Sequence, residues 1–315
     1  MKAMYIEKYG GVNEFNFGNM PDPVIRKNEV LVEVHATSVN PVDYKVRNGS
    51  VKILSGVKFP KILGTDFSGI VVKVGKGVSK FKVGDSVFGA SSVLFGKNGA
   101  NAEFVAATEK YLAKKPKKLS FPKAAAIPVA GTTVYHNLKN LNIQKRDKVL
   151  VNGASGGVGM FALQIAKLFG ANVTGVCSAK NIRFVKSLGA DYVIDYKKKD
   201  FRKNGIKYRI IFDAAGKLRF NDVKNSLTDN GVMLTTLPAP GIIYHFVKSK
   251  IFGGKKVIMA NANYAEENLG TLAGLIVRKK IKVHIEKTYL LKKAAKAYVL
   301  LEKGGVKGKL VVKLK

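Results

Sequence analysis

The sequence predicts an α/β protein in two parts, a β-rich, barrel-like part and a doubly wound parallel sheet flanked by helices. Three observations carry this. The first 110 or so residues read as closely spaced short strands punctuated by glycine. From about residue 122, short apolar strands alternate with helical segments, the pattern of βαβ units. A length of 315 residues, at roughly 150 residues per domain, suits about two domains. Hydrophobic residues make up 46% and recur in regular blocks, so a sizeable core is available and disorder is excluded as the main state. No run of about 18 apolar residues offers a transmembrane helix. The N-terminus enters strand-like sequence at once and does not look like a signal peptide.

Along the chain, Glu29 to Ala36 alternates apolar and polar residues with period two, a half-buried strand. Gly69 to Val74 is another β-rich run, closed by Gly75-Lys76-Gly77, and Lys82 to Phe88 follows with Gly84-Asp85 as its turn. Ala124 to Val134 is small and apolar and reads as a helix interrupted near Pro128 and Gly131. Then come the strand Lys148 to Asn152, a glycine-rich turn and a helix from Val158 to Phe169. The strand Asn172 to Val176 and the helix Asn181 to Leu188 repeat the unit, and Tyr192 to Asp195, Ile210 to Asp213, Gly231 to Thr235 and Lys256 to Met259 supply further strands. Helices at Ala265 to Arg278 and Lys292 to Leu301 and a strand at Lys309 to Lys313 complete the reading.

Charge is the unusual feature. Lys+Arg 55 against Asp+Glu 21 gives +34, which raises anionic membrane surfaces and nucleic acid as partners. The cations are mostly lysine in scattered groups, such as Lys114-Lys115, Lys197-Lys198-Lys199 and Arg278-Lys279-Lys280. Nucleic-acid readers favour arginine interleaved with aromatics in one patch. A specific nucleic-acid partner is therefore not expected, and a lysine-rich solvated surface is the plainer reading.

Gly153-Ala-Ser-Gly-Gly-Val-Gly159 lies between a strand and a helix, the context a dinucleotide fingerprint requires. Ala154 takes the first glycine position, Gly156 lets backbone approach a pyrophosphate, and Gly159 lets helix pack on strand; Ser155, Gly157 and Val158 complete the turn. NAD-specific sites carry an acidic residue at the end of the second strand, yet Ala171 to Ala190 contains no Asp or Glu. Ser178, Lys180 and Arg183 stand there instead, a hydroxyl and two cations suited to a 2′-phosphate, so the expected cofactor is NADPH. The one cysteine, Cys177, excludes an internal disulfide and a four-cysteine zinc site, and His35, His136, His245 and His284 have no metal-like spacing.

Gly64-Thr-Asp-Phe-Ser-Gly-Ile-Val-Val-Lys-Val-Gly75 with Val83-Gly-Asp85 resembles the signature of medium-chain dehydrogenase/reductases. Ser38-Val-Asn-Pro-Val-Asp-Tyr-Lys45, Ala130-Gly-Thr-Thr-Val-Tyr135 and Lys307-Gly-Lys-Leu-Val-Val312 are similar to motifs of the zinc-independent quinone oxidoreductase group within it. Cys177 to Asp195 looks closest to chloroplast-envelope quinone oxidoreductase homologues and plant enone oxidoreductases. The resemblance implies a GroES-like catalytic domain, residues 1–121 and 264–315, and a Rossmann NADPH-binding domain, residues 122–263. It implies hydride transfer from NADPH to a quinone or to the C=C bond of an α,β-unsaturated carbonyl. Zinc-dependent relatives carry a cysteine in the loop that here holds Asn40, and a His-Glu pair where Thr65 and Asp66 stand, so no metal is expected.

By the same resemblance, Asn40 is expected beside nicotinamide and substrate carbonyl, where its amide could polarise the oxygen. Thr133 is expected at the nicotinamide carboxamide, Tyr196 at the adenosine ribose or 2′-phosphate, and Lys309 near the cofactor. Tyr44 and Asp43 are candidates to orient substrate or donate a proton, with a turn cap and core packing as their rival roles. The loops Gly49 to Phe59 and Leu237 to Phe246 are expected to wall the substrate pocket. A homodimer and a weak electrostatic association with an anionic membrane surface stay open, and the expected location is cytoplasm or an organelle's soluble interior, with a peripheral position at a membrane also open. The competing reading is a basic protein that keeps the nucleotide fold but acts mainly by binding an anionic membrane surface or nucleic acid.

Overall fold

In the computed structural model, β1 (Lys2–Ile6) and β2 (Phe15–Asn19) open the chain as an antiparallel pair. The structure describes residues 1–97, 99–237, 241, 244–247 and 254–315. Next is β3 (Glu29–Ser38), whose alternation sends Val30, Val32 and Val34 inward, as its sequence pattern predicts. The short β4 (Lys61–Ile62) joins β1 and completes a three-stranded sheet. β5 (Asp66–Val74), β6 (Ser86–Ala90), β7 (Phe104–Thr108) and β8 (Leu112–Lys114) enclose a core of Val30, Val32, Val34, Phe67, Val71, Val87, Val105 and Leu112. A one-residue slip of β3 would turn its valines outward, so this buried stripe sets the register with β5, in which Ser38 faces Asp66.

The parallel sheet consists of β9 (Lys148–Asn152), β10 (Asn172–Cys177), β11 (Tyr192–Asp195), β12 (Tyr208–Asp213), β13 (Leu227–Thr235) and β14 (Lys256–Met259). Its order is β11-β10-β9-β12-β13-β14, every pair parallel. Sequence order thus reverses between β9 and β12, the switch point at whose carboxyl ends such sheets bind ligands. Val149, Leu150 and Val151 are fully buried because helices cover both faces of a parallel sheet.

Two later strands, β15 (Ile285–Leu290) and β16 (Lys309–Lys313), return to the sheet of β3, with β16 antiparallel to β3. That sheet runs β15-β16-β3-β5-β6-β8, with β7 on β3. The chain forms two compact units, Met1–Thr132 with Tyr264–Lys279 and Val283–Lys315, and Thr133–Asn263 with Lys280–Lys282. The first boundary falls later than residue 121 because Phe121, Ala125 and Ala126 pack with Ala36 and Val311 of the first unit. The segment read as one interrupted helix is two, Phe121–Ala125 and Pro128–Lys139. Proline starts the second at its tolerated first position, and Gly131 continues the helix through its N–H to Ile127 O. Strand β15 has no counterpart in the sequence reading. Of the loop Leu237 to Phe246, residues 238–240 and 242–243 lie outside the described residues. Among the described residues no helix is long and apolar enough to cross a membrane.

Candidate active site

In the second unit, β9 delivers the chain into the turn at residues 153–156 and the helix Gly157–Leu168. The tight-turn conformation belongs to Gly153, at φ +78, where an added Cβ would lie 3.0 Å from the Ala215 side chain. It sits one residue before the fingerprint position of Ala154, which is fully buried and donates its N–H to Val176 O. At Gly159 a Cβ would sit 2.1 Å from Gly153 O, so helix and turn can be this close only with glycine there. Gly156 differs. A Cβ there would meet only Gly153 O, at 3.6 Å, so the chain itself leaves room on that side. The first intrahelical bond runs from Met160 N to Gly156 O, leaving the N–H groups of Gly157, Val158 and Gly159 ahead of it. An open cradle before free helix N–H groups fits the pyrophosphate of a nicotinamide dinucleotide.

Neighbouring strands bring their ends to the same edge. Ser155 accepts a 2.9 Å hydrogen bond from Asn181, tying the first turn to the one after β10. Asn181 Oδ1 is buried and has no partner among the described residues, an acceptor left for a ligand or water. Ser178 is half-buried, whereas Lys180 and Arg183 are exposed. The exposed Tyr196 ties its N–H to Cys177 O. Burial, and then the charge of Asp195, push the Cys177 thiol up to about 11, so it is inert at neutral pH. Thr133 is buried on the helix Pro128–Lys139, its carbonyl accepting from Asn137.

In the first unit, Asp66 is the hub of a buried polar cluster that sequence reasoning did not assemble. Its Oδ2 accepts from Ser38 Oγ at 2.8 Å and Asn40 Nδ2 at 2.8 Å, and the Lys309 ammonium lies 3.4 Å away. Its Oδ1 accepts from Val129 N at 2.8 Å. Lys309 also donates to Asn40 Oδ1 and, at 3.4 Å, to Val39 O. The second hydrogen of the Asn40 amide goes to Ser38 O at 3.3 Å. Both amide hydrogens of Asn40 are therefore engaged inside the protein. The available signal was Asp66 in the quoted signature, which facing Ser38 across the β3–β5 ladder turns into a cluster.

Asn40 also caps the helix Pro41–Arg47. The Asp43 carboxylate accepts from Asn40 N at 2.8 Å and from Thr65 N and Oγ1 at 2.9 and 2.7 Å. Burial pushes Asp43 up to about 7, against hydrogen bonds from Thr65 and Asn40 that pull it down. Asp43 is thus fully enclosed, and Tyr44 packs against the cluster of Val39, Tyr298 and Leu310. Both side chains occupy the structural positions weighed above as rivals to a substrate role. Zinc does not fit here. Asn40 and Thr65 offer neutral groups, and Asp66, the carboxylate beside them in the signature, already faces an ammonium that would repel a dication. Among the described residues no group of three or more His, Cys, Asp or Glu gathers.

Residues 26–117 match the alcohol dehydrogenase GroES-like domain and residues 188–312 the zinc-binding dehydrogenase family. The chloroplast envelope quinone oxidoreductase homolog of Arabidopsis thaliana is 38% identical over 99% of this chain and 98% of its own. The NADPH-dependent alkenal/one oxidoreductase of the same plant is 38% identical over 69% of this chain and 58% of its own. The Escherichia coli quinone oxidoreductase, solved in complex with NADPH, superposes with a TM-score of 0.85 at 27% identity and full coverage of both chains. These matches lend no support to a protein acting mainly at an anionic surface. With the sheet order, the glycine turn and an end-to-end relative in agreement, the chain belongs to the quinone oxidoreductase group of the medium-chain dehydrogenase/reductases, a group of NAD(P)H-dependent oxidoreductases.

Proposed function

We propose that this chain reduces quinones, or the C=C bond of α,β-unsaturated carbonyls, with NADPH and without a metal. The observation that carries the reading is the buried Asn40–Asp66–Lys309 cluster, which fills with an ion pair and an amide the positions where a catalytic zinc would need ligands. A metal-free site lacks the Lewis acid that helps a saturated ketone accept negative charge. A conjugated acceptor needs less help, because its charge spreads from the β-carbon to the oxygen.

Gly156 and the helix N–H groups beyond it would hold the pyrophosphate, and Ser178, Lys180, Arg183 and Tyr196 the 2′-phosphate end, with Thr133 toward the nicotinamide. Exposed cations with no carboxylate beside them support NADPH over NADH, since Lys180 and Arg183 make no ion pair among the described residues. Bound NADPH supplies the hydride. Asn40, held by Asp66 and Lys309, gives the acceptor's side of the site a fixed polar wall, and water supplies the proton. The relatives' chloroplast and mitochondrial names support an organellar place of action.

Product analysis tests the reading. Incubation with NADPH and an enone should give the saturated ketone, at a rate unchanged by exhaustive chelation, while a saturated ketone stays almost untouched. An allylic alcohol, or activity lost with stoichiometric zinc, would return the chain to general carbonyl or alcohol chemistry.

A further inference from the structure

NADPH differs from NADH only by a phosphate on the adenosine ribose. Preference between them depends on where the groups after β10 stand relative to the turn that would hold the pyrophosphate. Backbone hydrogen bonds fix that spacing only as far as Val176. Its carbonyl accepts from Gly153 N at 3.1 Å and Ala154 N at 3.0 Å, and the β9–β10 ladder ends at the rung of Asn152 and Val176. Beyond Val176, one hydrogen bond joins the two turns among the described residues, from Asn181 Nδ2 to Ser155 Oγ at 2.9 Å.

Asn181 ends the short helical turn Ala179–Asn181 that carries Lys180, and its N–H donates to Ser178 O at 2.9 Å. Lys180 faces solvent, whereas Asn181 turns inward and is 1% exposed. Ser155, also buried, directly precedes Gly156. The bond therefore ties the segment bearing Ser178 and Lys180 to the segment that opens the helix Gly157–Leu168. It survives either orientation of the amide, because a serine hydroxyl donates as well as accepts. The other amide atom, Oδ1, finds no donor among the described residues, so Ser155 alone orients this side chain. For stability the pair contributes little, since two apolar groups of the same shape would hold the fold about as well. Apolar burial is non-directional, however, and a hydrogen bond sets one turn against the other.

We propose that Asn181 is a positioning residue that sets the preference for NADPH. Acting through Ser155, it holds Ser178 and Lys180 at the spacing that lets one dinucleotide meet the helix N–H groups and the 2′-phosphate groups together. This rests on the NADPH reading above. NADH brings no phosphate to the second turn, so it gains little from the spacing.

Fluorescence titration with NADPH and with NADH tests this in Asn181→Ala, in Ser155→Ala and in the double variant. Each single variant should narrow the ratio of the two affinities by about threefold or more, the order of one neutral hydrogen bond. The double variant should narrow it no further, because both changes cut the same bond. General destabilisation would lower both affinities together, so the ratio isolates the spacing. Ser155→Ala removes a single oxygen and decides the question even where Asn181→Ala folds poorly. Hydrogen exchange without dinucleotide is the second readout, and the amides of residues 178–183 should exchange faster in each variant. An unchanged ratio or unchanged exchange would overturn the assignment. So would an equal loss for both dinucleotides, which would make the bond a brace of the pyrophosphate turn alone. Additive losses in the double variant would overturn it too, since each side chain would then act on the cofactor separately. If the unchanged protein shows no preference for NADPH, the cofactor reading fails and the specificity role of Asn181 fails with it, and the exchange rates still decide whether the bond holds the turn.

Discussion

The Lys309 ammonium lies 3.4 Å from the Asp66 carboxylate across 243 residues of sequence, and the Asn40 amide joins both through its two ends. The pair is nearly sealed, with side-chain exposures of 4% and 0%. A buried ion pair of this kind adds little net stability, because both charges lose their hydration, but removing one partner strands the other.

Lys309→Met should therefore cost about 3–5 kcal/mol of unfolding free energy, the usual penalty for an uncompensated buried charge. Adding Asp66→Asn to the same chain should recover much of the loss. Urea denaturation of the two single variants and the double variant checks this, and strictly additive losses would show that the two groups do not act on one another.

Asp43 should make stability fall as pH rises. Its carboxyl ordinarily titrates near 3.8 and is pushed up to about 7 in the folded chain. Between those values the folded chain holds a proton that the unfolded chain has lost, so each step up in pH costs stability, until the effect levels off above about 7. Denaturation midpoints from pH 4 to 8 in Asp43→Asn should lack this contribution. An unchanged slope in the variant would assign the dependence elsewhere.

Two glycines in the turn after β9 should respond differently to alanine. At Gly159 the methyl would meet Gly153 O at 2.1 Å, so Gly159→Ala should lower Tm and NADPH affinity together. Gly156 meets only Gly153 O, at 3.6 Å, so Gly156→Ala should keep its Tm and lose NADPH affinity alone. Thermal melts beside fluorescence titration separate the two, and a matching drop in Tm for Gly156→Ala would contradict the open cradle.

Cofactor preference should follow the cations after β10. NADPH should bind at least about tenfold more tightly than NADH, equivalent to about 1.4 kcal/mol. Lys180→Glu should abolish or reverse the difference, and equal affinities in the unchanged protein would remove the 2′-phosphate assignment.

The parallel sheet was legible because its inner strands are short apolar blocks of the kind that helices bury on both faces, as in Lys148–Asn152, whose bounds match the pattern. Strand β15, Ile285–Leu290, was not. It lies at a sheet edge with mostly exposed side chains, so it carries no apolar stripe to read. The turn's glycines announced a nucleotide site, although the positive φ fell on Gly153 and not at the position of Ala154. The buried polar cluster was opaque for another reason. Motifs named Asn40 and Lys309 separately, but their shared partner Asp66 emerges only when β3, β5 and β16 pair.

The antiparallel seat of β16 against β3 also sets an order of assembly. On a ribosome, Ser38, Asn40 and Asp66 emerge long before residue 309, so the early chain carries a carboxylate destined for burial whose counterion has not yet been made. The sheet of β3 and β5 cannot close around that charge at its final stability until β16 arrives. The second unit, held in one continuous stretch but for Lys280–Lys282, faces no such wait. A nascent chain stalled before residue 309 should thus display a protease-resistant nucleotide-binding half beside a protease-sensitive first half, and the late strand would act as the latch that ends maturation.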